Sequence, residues 1–389
     1  MAKMLVAQRI LSLPPYLFAE IDRIKRELRN KGTDVIDLSI GDPDLPTPGL
    51  IIETLGREAR NPRHHRYPSY AGSERFRTAV ANWYQDRFEI TLNPSTEVLA
   101  LIGSKEGIAH APLAFINPGD LSLIPDIGYP VYATATMFAG GESYFMPMTP
   151  QNGYQPELAQ IPESIARKAK ILFLNYPNNP TAAVVDLEFM EKAGAFAKKH
   201  EILVCHDAAY TEVTFGNYEP PSFLQVKNAK ETGIEFHSLS KTFNMTGWRI
   251  GFVVGQKEAI AALGKVKTNV DSGVFSAIQE AGIAALTNWR EFRDANNKIY
   301  QHRRGILLEG LKKLSIHFHM PKATFYVWCK IPTHESSTEF CARMLRETGV
   351  CFTPGIGFGS GGEGYFRISL TASEIRLQEA LFRLERKLH

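Results

Sequence analysis

No run of 18 apolar residues occurs in this chain, so no membrane span is expected. Cysteine is scarce. Cys205, Cys329, Cys341 and Cys351 are the only four, and no two share Cys-x-x-Cys spacing. That pattern suggests reduced, mostly buried thiols and a cytoplasmic setting. Charge of one sign is also lacking: the net charge is +3, with no long block of like charge. This argues against a nucleic-acid partner or a membrane surface. There is no internal repeat, low-complexity tract or obvious flexible linker. Near the start, Arg9 precedes Pro14-Pro15, Glu20 and Asp22, and no small-residue cleavage site follows an apolar core. No signal peptide is expected.

What is present reads as a soluble globular protein, 44% hydrophobic and 22% charged. A length of 389 residues exceeds one compact core, so two domains are expected. Leu13-Pro-Pro-Tyr-Leu-Phe18 cannot begin a helix through its prolines and reads as an extended arm with buried aromatics. Ala19 to Asn30 predicts an amphipathic helix stopped at Gly32, and Val35 to Ile40 a short strand. The middle alternates. Strands are predicted at 97–102, 121–125, 170–175, 202–206, 234–238 and 251–255, with helices at 73–88, 106–115, 129–139 and 187–199. Alternation of this kind implies an α/β domain with a mostly parallel sheet, whose strand ends are the places to look for ligands. Later come a long helix at 289–314, a strand at 323–329, a helix at 337–348 and a strand at 364–370, an α+β unit. The expected division is 1–45 (arm and part of the small domain), 46–287 (large domain) and 288–389 (small domain).

The chemistry concentrates in Ser238-Leu-Ser-Lys-Thr-Phe-Asn-Met-Thr-Gly-Trp-Arg-Ile-Gly251. Lys241 lies among the hydroxyls of Ser238, Ser240 and Thr242, with Arg249 eight residues on. A lysine amine forms an imine with an aldehyde. Hydroxyls and a guanidinium hold a phosphate. A lone lysine between serines is ordinarily a solvated surface residue; the hydroxyls, the arginine and the apolar flanks together argue otherwise. The stretch resembles the cofactor-lysine segment of class I/II aminotransferases, which bind pyridoxal 5'-phosphate (PLP).

Other residues offer partners for the remaining handles of such a cofactor. Asp207, after an apolar strand in Cys205-His-Asp-Ala-Ala-Tyr210, suits a pyridine nitrogen, or equally a turn or helix cap. Tyr210 suits a phenolic oxygen, or a packed core. Asn179, in Asn175-Tyr-Pro-Asn-Asn-Pro-Thr181, can donate to the same oxygen or make an Asx-turn. Ser104-Lys105 opens a helix whose free N–H groups favour phosphate, with Ser104 also a plain N-cap candidate. Tyr129 can stack on a ring or fill a core. Arg367, a charge on an apolar strand, needs either a substrate carboxylate or a structural ion pair.

Taken together, the chain resembles fold-type I PLP enzymes of aminotransferase class I/II, and among them the LL-diaminopimelate aminotransferases and their close relatives. The resemblance also rests on Asp37-Leu-Ser-Ile-Gly-Asp-Pro-Asp-Leu-Pro-Thr-Pro48, Arg66-Tyr-Pro-Ser-Tyr-Ala-Gly72 and Gly103-Ser-Lys-Glu-Gly-Ile-Ala-His110. It implies an α/β large domain, with a mostly parallel seven-stranded sheet sandwiched by helices, plus a smaller α+β domain. It also implies that Lys241 carries the cofactor and moves the proton during ping-pong transamination. Ser104, Lys105, Ser238, Ser240 and Arg249 would surround the phosphate. Asn179, Asp207 and Tyr210 would hold the ring, and Tyr129 would stack on it. Arg367 would bind the substrate α-carboxylate, and Tyr16, Gly41 and Lys105 would line the substrate pocket. Tyr70 would reach the phosphate of a neighbouring subunit, implying a homodimer with shared sites. The favoured substrates are LL-diaminopimelate and 2-oxoglutarate.

The chain departs from the family pattern at three places. Ala182 stands where glycine is usual, Ile127 where proline is, and Phe243 where tyrosine is common. Ala182 would perturb the loop of Asn179 if its φ is positive. Aspartate, an aromatic amino acid or succinyl-diaminopimelate would fit the same machinery, as would C–S lysis or decarboxylation. A regulator's effector module is the non-enzyme alternative, but the segment before Ile36 is too short for a helix-turn-helix domain. Gly357-Phe-Gly-Ser-Gly-Gly362 matches GxGxxG by letters but precedes a predicted strand, which fails the dinucleotide reading. His64-His65 and His317-Phe-His319 lack companion ligands at metal spacing. His206 suits a role behind Asp207 or core packing.

Overall fold

The structure, a computed structural model, describes residues 6–13 and 19–388. Its centre is a seven-stranded sheet: β2 (Val98–Leu101), β3 (Leu121–Pro125), β4 (Glu142–Met146), β5 (Ala169–Asn175), β6 (Leu203–Asp207), β7 (Gly233–Ser238) and β8 (Gly251–Gly255). The order is β2-β8-β7-β6-β5-β3-β4, and only β8 runs antiparallel to its neighbours. Strands buried on both faces read as continuous apolar runs. Ile171, Phe173, Cys205 and Ile234 enter the core on one face, and Leu172, Leu174 and Val204 enter the core on the other. The edge strand β4 was not expected; only Met146 of its five residues is buried, so it lacks an apolar run.

The flanking helices start where capping chemistry allows. Ser73 accepts from the Phe76 N–H and begins Glu74–Phe88. Asp186 does the same through Phe189 for Leu187–His200. At the 104–115 helix the expectation fails in detail. Gly103, at φ 92°, occupies the cap without a side-chain bond, and Ser104 is the first helical residue. The first N–H groups there have no side-chain cap.

A second apolar cluster lies around β9 (Tyr326–Lys330), β10 (Val350–Cys351), β11 (Thr353–Pro354) and β12 (Tyr365–Ser369). Strands β11, β12 and β9 form an antiparallel sheet. The helix Ala19–Asn30 places Ile21 and Ile24 in this cluster, and β1 (Ile36–Asp37) pairs with β10 in parallel. The 289–314 helix is observed as Trp289–Lys313. The GxGxxG letters fall in two short 3-10 turns before β12, not at a helix that follows a strand. The longer helices without a sequence expectation, among the described residues, are Gly49–Glu58, Lys257–Val270, Ser276–Thr287 and Glu374–Leu388. Among the described residues, no helix is long and apolar enough to cross a membrane.

Candidate active site

Adjacent parallel strands end side by side, and their last residues point into one cleft. Asn175, Asp207 and Ser238 close β5, β6 and β7, with Asn175 in register with Asp207. Loops following parallel strands gather at one edge of a sheet, where α/β proteins bind ligands. The cleft has a volume of about 850 Å³. It is lined by Gly41, Ser104, Lys105, Tyr129, Asn179, Asp207, Tyr210, Ser238, Ser240, Lys241, Arg249 and Arg367. These come from segments up to 326 residues apart in sequence. Tyr70 is not among them and stands about half exposed. Tyr16, expected in the pocket, lies outside the described residues, as does most of the arm 13–18.

Lys241 sits on the short helix Leu239–Thr242, which Ser238 caps by accepting from the Ser240 N–H. Its Nζ donates to the Gly41 carbonyl at 3.0 Å. Burial pushes its pKa down to about 8, with the positive charges of Arg367 and Arg249 acting the same way against Asp42 and Asp207. A lysine so placed is partly neutral near physiological pH, as a nucleophile or base must be.

Asp207 is buried, and burial pushes its carboxyl pKa up. The Tyr132 hydroxyl at 2.7 Å and the Ala209 N–H at 3.3 Å oppose this by donating to the carboxylate. Asn175 ties the Asp207 carbonyl with its amide and receives the Asn179 N–H on its own Oδ1, both at 2.8 Å. The side chain that closes a turn in this loop is that of Asn178, whose Oδ1 accepts from the Thr181 N–H three residues on. Asn179 is left free to face Arg367, whose Nη1 donates to Asn179 Oδ1 at 2.7 Å. Arg367 also donates through Nη2 to the Ser39 carbonyl, while its buried Nε has no partner. Its guanidinium lies 4.1 Å from the Tyr326 ring centroid. Tyr210 meets the Tyr326 hydroxyl at 3.0 Å, so it is at once packed and directed at the cleft.

Opposite Lys241, the 104–115 helix aims its uncapped N–H groups at the cleft. Arg249, held at φ 55°, donates to the carbonyls of Thr246 and Ile102. Glycine is required here: a Cβ on Gly103 would lie 2.2 Å from Arg249 Nη2, and one on Gly251 would lie 2.9 Å from the Ser104 nitrogen. Free N–H groups, two serine hydroxyls and the Arg249 guanidinium packed over Gly103 come together here, a set that can hold an anion.

A family model for aminotransferase class I and II matches residues 33–384. The chain belongs to the class I and II aminotransferases.

The aminotransferase is 56% identical to the LL-diaminopimelate aminotransferase of Syntrophobacter fumaroxidans, over 98% of both chains. It is 53% identical to the protein of the same name from Moorella thermoacetica, again over 98% of each. Among solved structures it superposes on substrate-bound BacF from Bacillus subtilis with a TM-score of 0.94 and 38% identity, covering 99% and 98% of the two chains.

Sequence reasoning about the aminotransferase missed Tyr132 and Tyr326. Tyr132 lies in the helix Val131–Phe138 and follows Tyr129 by three residues, a spacing that within the predicted 129–139 helix would put both on one face. That was a readable signal. Tyr326 comes from β9, and no local pattern ties it to Tyr210.

Proposed function

We propose that this chain transfers the amino group of an L-amino acid, LL-2,6-diaminopimelate being favoured, to 2-oxoglutarate, using pyridoxal 5'-phosphate held at Lys241. The observation that carries the reading is the Lys241 amine, lowered toward neutrality and facing a cleft that also holds a buried aspartate and a buried arginine. The names of relatives more than 50% identical over nearly the whole chain support the choice of donor.

The residues present fit the cofactor. The helix N–H groups, with Ser238, Ser240, Lys105 and the Arg249 guanidinium that packs over Gly103 where a Cβ would collide with it, suit its phosphate. Asp207 suits its ring nitrogen, Asn179 and Tyr210 its phenolic oxygen, and Tyr129 its ring face. When bound, the cofactor supplies an aldehyde for amine exchange and a protonated ring that withdraws electrons from the substrate Cα. Arg367 receives the substrate carboxylate, turning its free Nε–H and one Nη–H to it. This fixes the substrate beside Lys241. Lys241 Nζ, neutral in part near pH 8, takes the Cα proton. Asp207, as a carboxylate, would keep a proton on the ring nitrogen it would face. Burial around the cleft strengthens each of these interactions.

The proposed division remains 1–45, 46–287 and 288–389, and the proposed setting is the cytoplasm. A homodimer is proposed as well. Tyr67 and Tyr70 are exposed beside the segment of exposed Val270 and Phe275, and a Cβ on Gly273 would touch the Ser69 carbonyl. In this dimer Tyr70 reaches its partner's phosphate site.

An amino-donor screen against 2-oxoglutarate tests the substrate, with LL-diaminopimelate, succinyl-diaminopimelate, aspartate, tyrosine and methionine. Glutamate formation is expected to be fastest with LL-diaminopimelate. Good activity with another donor and none with LL-diaminopimelate would reject that choice alone; ammonia release without glutamate would reject transamination. A second expectation concerns Tyr132→Phe. Losing one hydrogen bond to a charged group costs about 1.5–3 kcal/mol. Asp207 then takes up a proton more readily, and cofactor affinity is expected to fall roughly tenfold or more. Equilibrium dialysis with an unchanged dissociation constant would speak against Asp207 as the ring partner.

A further inference from the structure

His206 precedes Asp207 on β6, so its side chain leaves the opposite face of the sheet. It has no solvent exposure there. Both ring nitrogens are engaged: Nδ1 lies 2.9 Å from Glu235 Oε1, and Nε2 lies 2.9 Å from the Tyr176 carbonyl oxygen. A carbonyl only accepts, so Nε2 carries a proton. Glu235 itself is surrounded by donors. Its Oε2 faces the Leu224 N–H at 3.2 Å, the Tyr84 hydroxyl at 3.3 Å and the Ser222 hydroxyl. A carboxyl met by three donors is a carboxylate, so Oε1 is an acceptor and Nδ1 carries a proton too. The ring is therefore an imidazolium. Burial works against the Glu235 charge, yet the contact with His206 and the charge on it hold Glu235 down at about 2.

We propose that the buried His206–Glu235 pair is a positioning element for Asp207, in which the imidazolium keeps the aspartate ionised from behind the sheet. This rests on the reading of Asp207 as partner of the cofactor's ring nitrogen. Burial drives Asp207 toward its neutral form, and the two positive side chains opposing that are His206 and Lys241. Lys241 gives up its charge to react. His206 takes no part in the reaction, and among the described residues Glu235 is the base that meets its ring. The same ring fixes the Tyr176 carbonyl, and from there the chain runs directly into the loop bearing Asn179. A packing role alone would not require charge, since apolar residues of similar volume commonly replace buried ion pairs at no loss of stability. The other groups packed around the pair are His237 on β7, which burial pushes down to about 4, and Tyr84 and Arg87 on the 74–88 helix. His237 is neutral at physiological pH and does not compete for the role.

The test uses the cofactor-free chain. Nitrogen-15 NMR of the histidine rings, assigned with His206→Gln, is expected to show both His206 nitrogens protonated in the physiological pH range. A neutral ring in that range overturns the proposal. Carbon-13 NMR of the aspartate carboxyls, assigned with Asp207→Asn, then reads Asp207 directly. In His206→Gln its midpoint is expected to rise by about one pH unit, tenfold in the protonation equilibrium. An unmoved midpoint overturns the proposal. Should His206→Gln fail to fold, Glu235→Gln removes the counter-charge, leaves His206 neutral and is expected to move Asp207 the same way. None of these readouts needs turnover, so their failure leaves transamination standing. Full activity in Asp207→Asn would instead reject the ring-nitrogen reading.

Discussion

Lys241→Met is expected to abolish transamination while making the cofactor-free chain more stable. The loss follows from removing the amine proposed as both tether and proton carrier. Acid–base participation alone is worth up to about 10⁴-fold, and loss of the covalent step adds to it. The gain follows from the cost of burying a charge. The amine's pKa falls from 10.5 to about 8. That gap corresponds to about 3 kcal/mol of folding penalty when the lysine is protonated in both states. Below pH 8 the whole penalty stands. Between about 8 and 10.5 the unfolded chain binds more protons than the folded one, so native stability rises with pH. Above about 10.5 the penalty is gone. Methionine fills similar space without a charge. Urea unfolding of both cofactor-free proteins should therefore show the variant more stable by roughly 3 kcal/mol at pH 7, with the difference shrinking above pH 8. Turnover within tenfold of the native rate would refute the tether. Equal stability at pH 7 would refute the burial argument. The two outcomes are independent, because one concerns chemistry and the other the folded amine.

The parts of this molecule legible in its sequence share a physical cause. Strands β3, β5, β6, β7 and β8 are buried on both faces and so read as apolar runs bounded by glycine, proline or asparagine. Residues at their ends must be polar for a reason other than packing, and Asp207, Asn179 and Lys241 stood out on that account. Ala182 illustrates a conditional reading resolved by geometry. Its φ is 58°, the left-handed region where glycine is usual, and it is fully buried. The loop of Asn179 thus holds a strained alanine, and the Ala182 N–H donates to the Asn178 carbonyl. Less was legible where periodicity is weak. The helix Ser276–Thr287 buries residues on most of its circumference, including Gln279 and Glu280, so no polar face announces it. The edge strand β4 has the opposite defect, too little burial. Tyr326 acts through a tertiary contact with Tyr210, and such a pairing leaves no local pattern. The His206–Glu235 pair is similar: two residues 29 apart become neighbours only because β6 and β7 align in register.

Arg367→Lys should separate carboxylate recognition from charge alone. Arg367 is 7% exposed, and among the described residues no carboxylate lies within ion-pair reach of it. Its contacts are neutral: an amide oxygen, a backbone carbonyl, the Thr353 hydroxyl and the faces of Tyr326 and Phe358. A buried cation without a counter-ion is costly, and the unpartnered Nε leaves part of its donor fork unused. A substrate α-carboxylate, bound here as proposed, would answer both deficits by accepting two parallel N–H bonds. Lysine keeps the charge but has no fork and cannot stack in the same way on Tyr326. Removing one member of a buried charge pair costs about 2–5 kcal/mol. The kcat/KM for an amino acid donor should thus fall by roughly 10² to 10³ in Arg367→Lys and further in Arg367→Ala. A simple amine without a carboxylate has no such contact to lose. Its slow reaction with the bound cofactor, followed by absorbance, should change less than tenfold in the same variants. If both substrates lose activity equally, Arg367 supports the fold of the cleft and does not read the carboxylate. If neither does, the substrate carboxylate binds elsewhere, and the neutral contacts of Arg367 are its complete environment.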